Sequence, residues 1–286
     1  MKTISFSKYL FFILTSIISF SAYTQERVKM NEADMSHPKM KFVALDTLAI
    51  ERITGVKGKY NNGEYKITIP QNDLSITVDD FKIIPAMGLG TWIAFTPAHE
   101  GTMIMGDLVL TETDLRPVQQ EVINQGLTIS AIHNHFIRNH PNVVYMHVGG
   151  IGPTEAIAQK ARAVLEKIKE VRGNDPSKGS ASTESVPNTL DTKKLDEIIG
   201  YKAEMSKGVY KYTIGRPDIK LTEHGVIITT FFGFNTWAAF QGTPDKAAVA
   251  GDFTMVESEV APVIKALVEN GIEVVAVHNH MVHEQP

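Results

Sequence analysis

The 286-residue sequence contains no cysteine, which excludes disulfides, thiolate metal sites, a cysteine nucleophile and a lipid-modified amino-terminal cysteine. A transition-metal site must therefore use histidine or carboxylate ligands, with methionine available for copper. Basic residues are not in excess: 28 lysines and arginines against 32 acids give a formal charge of −4, which argues against a nucleic-acid partner. The signatures of phosphate loops, zinc-protease helices and serine-hydrolase elbows are also missing. The composition, 43% hydrophobic and 21% charged, is that of a globular protein.

The sequence has one notable apolar run, and it lies at the amino terminus. Lys2 and Lys8 precede the apolar residues 9–20, and small and polar residues follow. This order is typical of a secretory signal peptide, which we expect over residues 1–24, so that the mature protein is periplasmic or secreted. The alternative is an uncleaved membrane anchor. No later stretch reaches the length of a transmembrane helix, so no membrane span is predicted.

The chain contains one unit twice. Shifted by 145 residues, the segment 45–141 lies over 190–286 without a gap, and 30 of the 97 aligned pairs are identical. The matched segments are, pair by pair, 63–66 and 208–211, 91–95 and 236–240, 106–107 and 251–252, and 131–135 and 276–280. We therefore predict two homologous domains joined by a linker rich in glycine, serine and proline. The predicted boundaries are a flexible segment 25–41, unit 1 over 42–171, the linker over 172–189 and unit 2 over 190–286.

Within one unit the hydrophobic pattern changes in a fixed order. A short helix is followed by four strand-like stretches, a helix, a hairpin of two strands and a long helix. In unit 1 these are the helix 46–54, the strands 65–69, 74–84, 91–96 and 103–110, a helix from Thr113 to Gly126, the strands 127–135 and 143–148, and the helix 154–171. The pattern predicts an α+β fold in which a mostly antiparallel sheet is covered by two helices in each unit.

Unit 2 reaches Pro286, the position equivalent to Pro141, where the given sequence stops. The alignment therefore predicts that unit 2 lacks the last strand and helix that follow Pro141 in unit 1. Its strand 272–280 would then have no hairpin partner, and an unpaired strand edge promotes association. We expect a partner or a second copy of the chain to cover that edge.

Each unit carries the sequence His-Asn-His at the equivalent place. His133 and His135 lie two residues apart on a predicted strand, as do His278 and His280, so each pair projects from one face. His147, on the returning strand, is expected to join the first pair. Three imidazoles suit zinc or another divalent metal, with a fourth position open for water. The sequence thus predicts a metal or polar-ligand site in unit 1 and a weaker one in unit 2. The alternative to a ligand site is that these histidines are structural and form hydrogen bonds to carbonyl groups.

Six further residues are shared by the two units and could contribute to these sites. They are Asp107 and Asp252, Glu112 and Glu257, and Trp92 and Trp237. The acids could orient the histidines or act as a general base. The structural alternative for the aspartates is a turn, where Gly-Asp is common. For the glutamates it is a position before a helix start, where a carboxylate interacts favourably with the helix dipole. The tryptophans could form the wall of a ligand site or anchor the core.

The segments 208–211, 233–240, 251–252 and 276–280 resemble the LppY/LpqO family of bacterial exported proteins. The resemblance covers about residues 42–286 and implies export and a duplicated domain, but it supplies no reaction. Two functional interpretations follow. The first is an exported metal-binding protein, in which the metal lowers the pKa of a bound water for hydrolase-like chemistry. The second is a non-catalytic extracytoplasmic module that binds a small ligand or an envelope partner.

Overall fold

The computed structural model describes residues 44–99, 101–173 and 187–286. The predicted signal peptide, the segment 25–41 and most of the predicted linker lie outside the described residues. The last helix of unit 1 ends at Gly173, two residues past the end of the predicted helix 154–171. No helix in the described part of the chain is long and apolar enough to cross a membrane.

Unit 1 is an antiparallel sheet with helices packed on one face. Its strands are β1 (Gly58–Asn61), β2 (Glu64–Pro70), β3 (Ile76–Val78), β4 (Phe81–Ile83), β5 (Gly90–Ala98), β6 (Gly101–Thr111), β7 (Thr128–His133), β8 (Asn139–His140) and β9 (Val143–Gly152). Its helices are α1 (Thr47–Thr54), α2 (Glu112–Asn124) and α3 (Thr154–Gly173). The large sheet has the order β1-β2-β5-β6-β9-β7, and a small sheet has the order β4-β3-β8.

The core of unit 1 lies between the large sheet and the helices. Ile93 of β5 and Leu108 of β6 project from the helical face and are buried in one cluster with Val118 of α2 and Val164 of α3. Burial of such an aliphatic side chain contributes about 1.5–3 kcal/mol. The predicted α+β class and antiparallel sheet are confirmed. The short helix predicted over 46–54 is α1, which also packs against the sheet and buries Ile50 completely.

Unit 2 repeats most of this arrangement. Its elements are α4 (Thr192–Ile199), β10 (Glu204–Ser206), β11 (Val209–Gly215), β12 (Thr222–Glu223), β13 (Val226–Ile227), β14 (Asn235–Gly242), β15 (Ala247–Asp252), α5 (Glu257–Glu269) and β16 (Glu284–Gln285). The large sheet has the order β10-β11-β14-β15 and the small one β13-β12-β16. Each strand pair matches its counterpart in unit 1, as a duplication requires.

Two predicted strands are wrong. The stretch 74–84 is a hairpin of β3 and β4, because Asp79 and Asp80 adopt positive φ angles of 46° and 63° and make a two-residue turn. The stretch 272–280 forms no strand ladder. Its counterpart β7 pairs with β9, and the described residues of unit 2 contain no equivalent of β9.

The two units pack face to face through the sheet faces that carry no helices. The small sheet of each unit covers the large sheet of the other. Met87 of unit 1 belongs to an apolar cluster with Val209 and Ala239 of unit 2. In the reciprocal cluster, Phe232 of unit 2 packs with Met105 of unit 1. These exchanged contacts relate the units by an approximate twofold axis, and they place the residues of both inner faces in one interior site.

Candidate metal centre

The histidines of unit 1 project from the inner face of its large sheet. His133 lies opposite Tyr145, and His147 lies opposite Ala131, so the β7–β9 register puts both imidazoles on one face. Their ring centroids are 4.7 Å apart and the planes are nearly parallel, at 9°. His135, just beyond β7, lies beside them, with its Nε2 3.0 Å from Nε2 of His133. The structure therefore places the three rings predicted for unit 1 together.

The histidines of unit 2 join the same group. The rings of His133 and His278 are stacked with centroids 3.6 Å apart, and His280 lies 4.1 Å from His147. The two sites predicted from the sequence therefore lie side by side, because the twofold packing turns the two His-Asn-His segments toward each other. Ser130 of β7 stabilises this arrangement by donating a hydrogen bond of 2.9 Å to the carbonyl oxygen of His280. We refer to His133, His135, His147, His278 and His280 as the histidine cluster.

Asp107 and Asp252 lie next to the histidine cluster. Asp107 stands between Trp92 on β5 and His147 on β9, and its Oδ2 is 3.9 Å from Nε2 of His135. Burial and then the neighbouring charge of Asp252 raise the pKa of Asp107 well above its usual value. Burial also raises the pKa of Asp252, although His278 opposes the shift. One carboxylate from each unit is thus desolvated beside the rings.

Four rings of the cluster favour the neutral imidazole, and they belong to His133, His135, His147 and His280. Burial, followed by repulsion from the other histidines, lowers the pKa of His133 to about 2. Burial is also the main reason why the pKa values of His135 and His280 fall to about 3 and that of His147 falls well below its usual value. A neutral imidazole offers a nitrogen lone pair, and that is the form that binds metals.

Several nitrogen atoms of the cluster are buried without a hydrogen-bond partner among the described residues. His147 is the clearest case: it is 1% exposed and neither Nδ1 nor Nε2 has a partner. Nδ1 is also unpartnered in His133, His135 and His280. An unsatisfied buried polar atom costs about 1–3 kcal/mol. These unpaired nitrogens are therefore available to bind a ligand such as a metal ion.

Two sets of side chains could hold a metal ion. One is His133, His147 and His278, and the other is Asp107, His133 and His135; within each set the ligand atoms all lie within 4.8 Å of one another. Ligand atoms around tetrahedral zinc are about 3.3 Å apart when the bonds are 2.0–2.1 Å long. A small inward movement of the side chains would therefore close either set around an ion. The first set draws ligands from both units.

The two tryptophans border the cluster in mirrored positions. The ring of Trp92 lies 6.3 Å from His280, and that of Trp237 lies 5.7 Å from His135. Each ring also reaches the other unit: a Cβ built on Gly233 would be 2.9 Å from Trp92, and one built on Gly88 would be 2.9 Å from Trp237. The tryptophans thus lie in the contact between the units and border the histidine cluster.

Sequence reasoning missed Lys66 and Lys211. Their ammonium groups lie over the rings of Trp92 and Trp237, at 4.1 and 4.2 Å from the ring centroids. Burial is the main reason why each lysine has its pKa lowered to about 8. The signal was present, because Tyr-Lys recurs at the same position of both units.

Glu112 and Glu257 are not brought into the cluster. Both are exposed at the first residue of a helix, in α2 and α5. Glu112 instead accepts a hydrogen bond from Nδ2 of Asn142, at 2.8 Å. Their position agrees with the helix-dipole interpretation.

The fold and site define a duplicated α+β protein whose two halves enclose a cluster of histidines. A family model described as "Domain of Unknown Function (DUF1259)" matches residues 48–167 and 193–286, and the chain belongs to this family. The two matched segments correspond to the two units. No curated protein and no solved structure matches the sequence.

Proposed function

We propose that the protein binds one divalent first-row metal ion between its two units, with His133, His147 and His278 as ligands. Zinc is the best fit, because it binds neutral imidazoles in a tetrahedral arrangement. Its filled d shell imposes no further preference on the geometry of the ligands. The observation that carries the proposal is His147, a fully buried ring with two unpartnered nitrogens. A bound ion would use one of these nitrogens.

The surrounding residues support the same conclusion. The lowered pKa values of His133 and His147 mean that protons do not compete with a metal for these two ligands near neutral pH. Asp107 supplies a desolvated carboxylate next to His135, either to bind the ion itself or to accept a hydrogen bond from a ligand imidazole. Three protein ligands leave a fourth position for water or for a small molecule.

Metal analysis of untagged protein, followed by zinc titration of the metal-free form, tests this proposal. We expect close to one zinc per chain. His133→Ala, His147→Ala and His278→Ala should each weaken binding by about 100-fold or more, since loss of an outer partner alone costs 10–100-fold. The matched control is His140→Ala, an exposed histidine at the end of β8.

The pair His133→Ala and His278→Ala also separates one shared site from two independent ones. A shared site loses its zinc in either variant. Two independent sites would leave one zinc bound in each variant. Wild-type affinity in all three histidine variants would contradict the metal proposal altogether.

We also propose that the protein is exported and that it is related to the LppY/LpqO proteins. The support is the sequence order at the amino terminus, with Lys2 and Lys8 before the apolar residues 9–20, together with the motifs of unit 2. Mass spectrometry of protein from a periplasmic extract should find a chain that begins at Gln25. Recovery of the intact chain from the membrane fraction alone would contradict cleavage after Thr24.

A further inference from the structure

The two lysines beside the histidine cluster have no acidic partner of their own. Neither ammonium group forms a salt bridge within the part of the chain that the structure describes; each instead rests on the face of a tryptophan. Glu64 lies within electrostatic range of Lys66, but its carboxylate accepts a hydrogen bond of 2.6 Å from Thr229. Asp252 lies within range of Lys211 and also faces His278.

The lysines also lie near the histidines, because Trp92 under Lys66 borders His280 and Trp237 under Lys211 borders His135. The charge of Lys211 acts on Lys66, and the two charges act on different rings of the cluster: Lys66 on His280 and Lys211 on His135. Lys66 lies at the contact between the units, since its Nζ is 5.5 Å from the ring centroid of Phe231 in unit 2. Two half-buried cations, one from each unit, therefore flank one interior site.

This arrangement is costly unless something compensates it. Like charges repel strongly where water is partly excluded, and each ammonium has three hydrogen-bond donors to satisfy. The tryptophan faces provide attraction from one side but accept no conventional hydrogen bond. An anion placed between the lysines would satisfy donors from both units at once through charge-assisted hydrogen bonds, which are the stronger kind.

We propose that Lys66 and Lys211 bind an oxyanion beside the histidine cluster, so that the natural ligand carries a phosphate, sulfate or carboxylate group. The inference deepens the metal proposal, on which it rests for the position of the ligand. The lysines would hold the anionic group, and the aromatic rings would border the apolar part. The ligand would thereby be oriented toward the metal.

The only two tryptophans of the chain lie under these lysines, so intrinsic fluorescence reports directly on the site. Metal-free protein is titrated separately with inorganic phosphate, sulfate and malonate, with sodium chloride at matched ionic strength as the salt control. We expect a saturable change with at least one oxyanion and none with chloride. A response that follows ionic strength alone, or no response, would overturn the proposal.

Matched variants assign the effect to the lysines. Lys66→Met and Lys211→Met keep the apolar stem and remove the charge, and each should weaken oxyanion binding about tenfold or more. Lys59→Met, an exposed lysine in β1, should bind as the wild type does. Lys66→Arg keeps a cation and should retain most of the affinity, which guards against loss of folding as the explanation. Unchanged binding in both methionine variants would refute the assignment.

Zinc titration of the same variants separates this proposal from the previous one. If zinc binding is intact while oxyanion binding is lost, both proposals stand. If His133→Ala loses zinc but the lysine variants still bind phosphate like wild type, only the oxyanion proposal fails. Saturable phosphate binding that needs the lysines, in protein that never binds zinc, would refute the metal site alone.

Discussion

A single methyl group at Gly88 should disrupt the contact between the two units. The residue has φ of 110°, where a side chain is strained, and the added Cβ would lie 2.9 Å from the six-membered ring of Trp237. Strain at such a backbone position costs about 1–3 kcal/mol. Overpacking against a ring held by its neighbours adds about 1–3 kcal/mol. We therefore expect Gly88→Ala to lower the free energy of unfolding by roughly 2–6 kcal/mol.

A control variant at Gly55 separates the cost of backbone strain from the cost of the close contact with Trp237. Gly55 ends α1 with φ of 71°, and a Cβ there would meet no atom within 4 Å. Gly55→Ala should cost only about 1–2 kcal/mol, the penalty of a left-handed conformation. Gly233→Ala, which faces Trp92 in the mirrored position, should behave like Gly88→Ala.

Urea denaturation followed by circular dichroism measures these differences, and a double-mutant cycle isolates the contact. Replacing Trp237 by Leu removes the ring that the new methyl group meets, so Gly88→Ala should cost less in that background than in the wild type. Equal costs in the two backgrounds, or a Gly88→Ala variant as stable as Gly55→Ala, would refute the exchanged packing of the units.

Two further predictions concern pH and local stability. In metal-free protein His133, His135, His147 and His280 have pKa values below the unfolded value of about 6.5. Below that pH the unfolded chain therefore binds protons at these four residues that the folded state does not bind. Stability should therefore fall from about pH 6.5 toward pH 4, by about 1.4 kcal/mol per pH unit for each histidine that stays neutral. His133→Gln should flatten this slope in urea titrations at pH 7.0 and 5.5, and an unchanged slope would contradict the burial of a neutral ring. Hydrogen exchange should be faster in 273–278 than in 128–133, because the first segment has no strand ladder; equal protection of the two segments in a monomer would count against the structure.

Much of the fold could be predicted from the sequence. The repeat was visible because both units must build the same sheet, and the alternation of apolar residues predicted most strands of unit 1. The split of the stretch 74–84 was missed, since its apolar residues continue on both sides of a turn set by Asp79 and Asp80. The stretch 272–280 has the local pattern of a strand but forms none. A strand needs hydrogen bonds to a neighbouring strand, and the local pattern does not show whether that neighbour is present.

The site was only half predictable. The spacing of His133 and His135 predicted a shared face, and the return of the chain after the turn predicted a role for His147. Nothing local shows that His278 meets His133, because that contact depends on how two folded units pack. The lysines were missed for the opposite reason. A lysine on a strand normally faces water, whereas Lys66 and Lys211 are half-buried over tryptophans in the contact between units.

The approximate twofold axis near His133 and His278 has a consequence for selectivity. In a dimer of identical chains, every group near such an axis occurs in duplicate, and a ligand meets the same surroundings on either side. A single chain with two halves escapes this constraint, because each half can change on its own. Glu64 is such a change: its charge acts on Lys66, whereas the equivalent position of unit 2 holds Val209. The two sides of the interior site therefore differ, so an unsymmetrical molecule can be accepted in one orientation and rejected in the other.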